Sequence, residues 1–174
     1  MPEYGRLTHL DEHGRAQMVD VSAKAATARR AVAACRLVME PDTAAALIAG
    51  KLPKGNDVLA IARVAGVLAA KATPQLIPLC HKVLLGDVAV DFSIGEREVR
   101  VEARVAARDR TGVEIEALNA CLAAALTVYE GCKALDRSMV IEDLTLLEKS
   151  GGRSGSWQRL ADGSVRHDVT GGEP

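Results

Sequence analysis

Two kinds of chemistry can be read from the polar groups of this chain: proton transfer by lysine, histidine and carboxylate side chains, and capture of phosphate by cations and free backbone amides. The first segment to carry such groups is MVDVSAK (18–24), with Arg29 and Arg30 following. Lys24 would serve a phosphate as a point charge and Arg29 as a planar fork, although exposed Lys and Arg equally belong to any solvated surface. In LPKGND (52–57), Lys54 stands beside Gly55 at the mouth of a helix. Unpaired amides there attract an anion, and the ammonium adds charge or a proton, unless the segment is simply a capped turn. Gly50 and Gly55 have the spacing of phosphate-loop glycines, but Asn56-Asp57 replaces the required Lys-Ser/Thr, so this is no Walker A loop.

LIPLCH (76–81) makes Cys80 and His81 neighbours. A strand would send them to opposite faces, so they are not expected to form a nucleophile-base dyad, and a lone His is commonly structural. TGVEIEAL (111–118) has the spacing of a capping box closed by Glu114, while Glu116 either faces a cleft or favours the helix start. In VYEGCKALD (128–136), Glu130 and Lys133 lie three apart on one helix face, which by itself describes a surface ion pair. Gly131 within that helix costs about 0.5–1 kcal/mol relative to Ala and signals the close approach of something else. KSGGRSG (149–155) offers free amides and two cations, suited to phosphate oxygens or to a flexible exit from a strand. GxGxxG, HExxH and GxSxG are absent, which leaves nicotinamide-type, zinc-protease and serine-hydrolase readings without support.

The elements that must position these groups follow from periodicity. RRAVAACRLVM (29–39) is ambiguous, because Ala favours helix while the alternation fits a strand. Pro41-Asp42-Thr43 opens a short helix to about residue 49, where Gly50 stops it. Val58, Ile61, Ala62, Ala65 and Leu68 predict a helix over 57–71, ended by Pro74. The alternating runs 83–92 and 99–107, joined through Gly95-Glu96, predict an antiparallel hairpin. Ile115, Leu118, Leu122, Leu126 and Tyr129 predict a long helix to about residue 135, and MVIEDLTLL (139–147) a final strand. The resulting order suggests an α+β subunit: a ferredoxin-like (split βαβ) antiparallel sheet with helices on one face. Small apolar residues on the hairpin's other face would then be covered by another subunit, making the chain oligomeric through that face.

Composition sets the outer limits. The 174 residues suit one domain over 1–160, with a Gly-, Asp- and Ser-rich tail over 161–174 expected to be flexible. Hydrophobic residues make up 48% but aromatics only 2%, so the core must be Ala, Val, Leu and Ile. Each such side chain buries little area, which makes burial between subunits attractive. With 22 basic and 23 acidic residues mixed along the chain, no stripe for nucleic acid is expected. No membrane span or leader is expected either, and a cytoplasmic location follows. Cys35, Cys80, Cys121 and Cys132 lack any CxxC pair and read as buried free thiols, with no metal site.

Taken in order, MVDVSAK, the Lys-Gly element followed by ARVAGVLAAK, LIPLCH, TGVEIEAL, the Tyr-acid-x-Cys-Lys-Ala element and LLEKSGGRSG resemble the signature set of the MoaC family over about residues 7–159. Singly each match is weak; as an ordered series they are specific. The resemblance implies a homohexamer, a trimer of dimers, with active sites at subunit interfaces. It implies conversion of 3′,8-cyclo-7,8-dihydro-GTP to cyclic pyranopterin monophosphate with release of pyrophosphate, in molybdenum cofactor biosynthesis, a lyase-type reaction without a redox step. No resident cofactor is implied, and Mg²⁺ enters, if at all, with the triphosphate.

By the same resemblance Lys54 and Lys133 are catalytic lysines and Glu130 the catalytic acid. Leu79, Cys80 and His81 contact base or sugar, and Glu114, Ile115 and Glu116 lie in the substrate-binding strip. Lys24, Arg29, Lys149 and Ser150 are the candidates for the triphosphate. The chain departs from the family pattern in three places: Glu130 stands where Asp is usual, Asn56 interrupts the usual Lys-Gly-Asp, and Ile115 replaces Met. These changes keep open a second reading, a MoaC-like paralogue that binds a nucleotide or pterin with altered or no turnover.

Overall fold

In the computed structural model, which describes residues 10–168 except 54 and 56, the elements run β1 (Thr27–Val38), α1 (Pro41–Ile48), α2 (Val58–Leu76), β2 (Leu85–Ile94), β3 (Glu98–Asp109), α3 (Glu114–Cys132), β4 (Val140–Ser150), β5 (Ser156–Arg159) and β6 (Val165–Asp168). The strands form one antiparallel sheet in the order β2-β3-β1-β4-β5-β6. The ambiguous Ala-rich run is therefore a strand, β1, and it is central. Ala31 to Cys35 are buried continuously, Val32 and Ala34 on the outer face among the long charged side chains of β3, so the alternation that marks a one-sided strand is blurred.

One sheet face is covered by α2 and α3, with α3 across β1, β3 and β4 and α2 against α3 and β2. Ala31, Ala33, Cys35 and Leu37 of β1 pair with Val105, Ala103, Val101 and Val99 of β3, and all eight are buried in the main core. They meet Ala117, Ala120, Cys121 and Ala124 of α3. Without aromatic bulk, burial has to come from close approach. At Gly66 an added Cβ would lie 2.9 Å from the Ala120 carbonyl oxygen and 2.9 Å from Val90 Cγ2. At Gly131 it would lie 2.7 Å from Val58 Cγ1, which is the close approach anticipated for that glycine. Asn119 adds a polar tie, donating to the Ala69 carbonyl (2.8 Å) and to Thr73 Oγ1 (3.1 Å).

The sheet's other face differs from expectation. Where the sequence suggested small apolar residues awaiting a partner, β3 presents Arg100, Glu102 and Arg104, and Arg36 of β1 bridges Glu98 (2.8 Å), Glu142 and Asp143 (2.9 Å). Arg104 pairs with Asp91 and Glu102, and Arg30 with Glu148. The alternation on the hairpin is real, but its small residues point to the helices and its charges outward. Exposed apolar residues are scattered over several elements, and on α2 Ile61, Val64 and Leu68 line one contiguous apolar ridge.

Three local expectations are also corrected. Pro74 does not end α2, which continues to Leu76, since a proline in the last turn removes a single intrahelical bond. The capping box at 111–114 does not form. Val113 is the N-cap of α3, no side chain caps it, and Glu114 is already the first helical residue. The Gly-rich exit and the start of the segment read as a tail carry a further hairpin, β5-β6, whose pairing runs from Ser156↔Asp168 to Arg159↔Val165.

Two predictions follow from the packing. Gly66→Ala would stabilise an open helix by about 1 kcal/mol; here the clash with Ala120 and Val90 is expected to destabilise by about 1–3 kcal/mol, read as a lower urea midpoint. Asp136, buried where α3 gives way to β4, accepts bonds from Glu40 N (2.8 Å), Ser138 N (2.8 Å) and Ser138 Oγ (2.6 Å). The Ser138 bonds and the Glu40 amide hold its carboxyl below the usual range despite burial. A depressed folded-state pKa contributes stability that is present above the unfolded value and lost as pH falls through the folded one. Asp136→Ala is therefore expected to cost about 1–3 kcal/mol at neutral pH, with the deficit shrinking in acid. Urea midpoints for both proteins at neutral and acid pH check this.

Candidate functional site

Antiparallel pairing decides which loops meet. The start of β1 lies beside the end of β3 (Thr27↔Asp109) and the end of β4 (Arg30↔Ser150). The segment before β1, the β3–α3 loop and the β4–β5 loop therefore converge at one end of the sheet. They enclose a cleft of about 580 Å³ bearing Lys24, Arg29, Arg110, Lys149 and Arg153, with Glu114 at its margin. Five cations face one carboxylate.

Two of those cations are built into the walls. Lys149 is 5% exposed, and its ammonium donates to Ser154 Oγ and to the Gly155 carbonyl (2.8 Å), folding the β4–β5 loop back on itself. Arg29 donates through Nε to the Asp109 carbonyl (3.0 Å) and through Nη2 to the Arg110 carbonyl (3.1 Å). Gly151 and Gly152, at φ +92° and +78°, lay the β4–β5 loop directly over this arginine. A Cβ on Gly152 would fall 1.7 Å from Arg29 Nη1, and one on Gly151 would fall 2.0 Å from the Ala28 carbonyl oxygen.

A second cleft, also about 580 Å³, adjoins the first and shares Lys24, Thr111, Gly112, Glu114 and Arg153 with it. Its remaining wall combines apolar Val19, Val21, Ile77, Leu79 and Ile115 with Cys80, His81 and Glu116. The segment after α2 is a loop, so Cys80 and His81 do not diverge as they would on a strand; both line this cleft. His81 Nε2 lies 2.7 Å from the Val19 carbonyl oxygen. A carbonyl only accepts, so Nε2 carries the hydrogen and Nδ1 is the ring nitrogen left to exchange a proton. Cys80 Sγ donates to Glu116 Oε1 (3.4 Å). Burial pushes the Cys80 thiol up to about 12, with the Glu116 charge adding to the effect, so it is no nucleophile at neutral pH. Glu116 is 2% exposed, and burial raises its pKa against the opposing pull of a backbone amide and the Cys80 thiol. A carboxyl displaced upward in a cleft is suited to hold a proton and give it up.

The other expected residues lie elsewhere. Glu130 and Lys133 form an ion pair of 2.6 Å at the far end of α3, half exposed. Glu130 lies sixteen residues beyond Glu114 on the helix, about 24 Å along the axis. Ser150 ends β4 opposite Arg30 and lines neither cleft. Lys54 lies outside the described residues. Arg110 was not singled out by sequence reasoning, although its place beside Thr111-Gly112 marked it; Arg153 stood out only as the second cation of its segment. Of the cysteines, Cys35 and Cys121 are buried with sulfurs 3.2 Å apart, Cys132 is buried, and Cys80 alone is partly exposed. Among the described residues no cluster of His, Cys, Asp and Glu is arranged to hold a metal ion, and no helix is long and apolar enough to cross a membrane.

Known proteins carry a similar sequence through this region. The MoaC family pattern matches residues 18–152, which span the first cleft segment, both long helices and the two glycines over Arg29. A protein of Chloroflexus aurantiacus is 54% identical over 158 residues, covering 90% of this chain and 96% of its own length. One of Roseiflexus sp. is 56% identical over 153 residues, 87% of this chain and 96% of its own. A third, of Thermomicrobium roseum, is 53% identical over 163 residues, 92% and 97%. Each of the three bears the name cyclic pyranopterin monophosphate synthase. With a match that covers most of its length and relatives of this similarity, the chain belongs to the MoaC family.

Proposed function

We propose that this protein is a cyclic pyranopterin monophosphate synthase, a cytoplasmic lyase that converts 3′,8-cyclo-7,8-dihydro-GTP to cyclic pyranopterin monophosphate and releases pyrophosphate in molybdenum cofactor biosynthesis. The observation that carries this reading is the joining of two unlike clefts along a shared wall. One is cationic and the other, beyond the wall they share, is apolar with Cys80, His81 and Glu116, the polarity a nucleotide has between its triphosphate and its base. Lys24, Arg29 and Lys149 bias the first cleft towards phosphate, with Ser150 nearby. Leu79, Cys80, His81, Glu114, Ile115 and Glu116 receive base and sugar. Rebuilding a purine-derived ring into a pterin moves protons between nitrogen and oxygen, for which His81 Nδ1 and the Glu116 carboxyl are at hand. Holding the triphosphate while the cyclic phosphate closes supplies the proximity the step needs.

Glu130 and Lys133, with Lys54, remain the catalytic acid and lysines by family resemblance. A distance of about 24 Å along α3 means that Glu130 and Lys133 can serve these clefts only from another copy of the chain. That supports active sites between subunits, and the homohexamer, a trimer of dimers, is the assembly the family resemblance implies. The order β2-β3-β1-β4, with β3 inserted between β1 and β2, supports the ferredoxin-like reading of the subunit. The α2 ridge of Ile61, Val64 and Leu68 suits subunit contact better than the charged sheet face. No resident cofactor is proposed; Mg²⁺ would arrive on the triphosphate.

Purified protein given the cyclised dihydro-GTP is expected to release pyrophosphate and yield a product that becomes a fluorescent pterin on oxidation. Lys133→Ala and His81→Ala should each lower kcat on the order of 10²-fold or more. Binding without pyrophosphate release would point instead to the non-catalytic paralogue. Coexpressing the two inactive variants tests shared sites: random mixing leaves about a quarter of interfaces with both halves intact, so activity should return to that order. Mixed oligomers as inactive as their parents would sink the interfacial site.

A further inference from the structure

The cationic cleft contains more charge than its walls use. We propose that Arg110 and Arg153 are the side chains that grip the polyphosphate, each carried on one of two loops that Arg29 and Lys149 brace from beneath. This rests on the functional reading above and divides four of the five cations of that site into holders and supports; Lys24, equally exposed and uncommitted, adds a point charge without a fork.

The division comes from where each donor is already committed. Arg29 has Nε on the Asp109 carbonyl and Nη2 on the Arg110 carbonyl, and its third nitrogen is covered by Gly152. It is a strut between the β3–α3 and β4–β5 loops, and its planar fork is what lets it reach both carbonyls while lying under a glycine. Lys149 is spent on Ser154 and Gly155 of its own loop. Arg110 and Arg153 are the reverse case. Both are exposed, both line the cleft, and neither side chain has a hydrogen bond or ion pair with any described residue. Arg110 itself bears one of the two carbonyls that Arg29 holds, and follows directly on the other. Arg153 follows directly on the glycine that covers Arg29, and it faces both clefts.

One strut therefore sets the separation of two forks. Bidentate guanidinium contacts to successive phosphoryl groups demand such fixed spacing, and a loose lysine pair would not supply it. Glu114 bounds the arrangement. Its carboxylate folds back over Gly112, where a Cβ would lie 1.8 Å from Oε2, and so repels phosphate from the α3 side of the shared wall and leaves the Arg110–Arg153 side for it. Arg29 is thus a positioning residue, and its positive charge adds to the field without supplying the principal contacts.

The full-length protein can be tested with inorganic tripolyphosphate as probe, by calorimetry, alongside turnover of the cyclised dihydro-GTP. Arg110→Gln and Arg153→Gln are each expected to weaken tripolyphosphate binding roughly tenfold to a hundredfold and to raise KM by more than they lower kcat. Arg29→Lys, which keeps the charge and loses the fork, should speed hydrogen exchange at the amides of both 110–113 and 150–155, lower kcat as well as raise KM, and not be rescued by its retained charge. The glutamine variants should leave exchange in those loops as in the wild type. The proposal falls if the Arg110→Gln/Arg153→Gln double variant binds tripolyphosphate like the wild type. It falls equally if Arg29→Lys abolishes binding with exchange unchanged in both loops, since Arg29 would then be the ligand. Wild-type protein that binds tripolyphosphate through Arg110 and Arg153 but releases no pyrophosphate would sink the synthase reading and support this one. Turnover with normal KM in the double variant would do the opposite.

Discussion

The distance between α2 and α3 is the constraint on which the remaining architecture depends. A core with almost no aromatic side chains can exclude water only if its elements come closer than usual, and Gly66 against Ala120 and Gly131 against Val58 are the points where they do. Because α3 is held by these contacts in its second turn and in its last, and lies across three strands, it behaves as a rigid bar. Its first turn delivers Glu114 and Glu116 to the clefts, and its last delivers Glu130 and Lys133 to a surface about 24 Å away. Packing and chemistry are therefore settled by the same helix.

Charged groups are handled differently on the sheet and at the clefts. The sheet's outer face disperses its charges into Arg–Glu and Arg–Asp pairs, each worth at most about 1 kcal/mol at such exposure. At the clefts the arrangement changes. Glu116 is buried beside a thiol and makes no salt bridge among the described residues, and Lys149 is buried among neutral acceptors. Neither is arranged as a stability device would be, since a buried charge without a counter-charge is costly. Strain of this kind concentrates where a ligand with complementary charge completes the set.

Much of this was legible in the sequence and some was not. The hairpin, the two long helices and the last strand follow from period-2 and period-3.6 patterns, and Gly131 announced its neighbour through its helix-breaking cost. The Ala-rich run 29–39 could not be assigned because a central strand buries both faces and loses its alternation. The capping-box reading of 111–114 failed because a spacing rule cannot see that Glu114 turns towards Gly112. The outer sheet face was misassigned because alternation gives two faces without saying which one meets the helices. Among site residues, Cys80, His81, Glu114, Ile115 and Glu116 came together because one loop crosses the start of α3. The separation of Glu130 and Lys133 from them was open to simple helix arithmetic. What could not be read was the use of Arg29 and Lys149 as wall material, because a sequence shows a cation's charge and not the carbonyls that already occupy it.

The stiffness of α3 has an effect beyond any single subunit. In the proposed assembly each copy of this helix would contribute its opening turn to one reaction centre and its closing turn to another, so neighbouring centres would share a common beam. Damage to the middle of that beam, far from any substrate atom, would be inherited by two centres at once, and the small residues there are held under the joint veto of both.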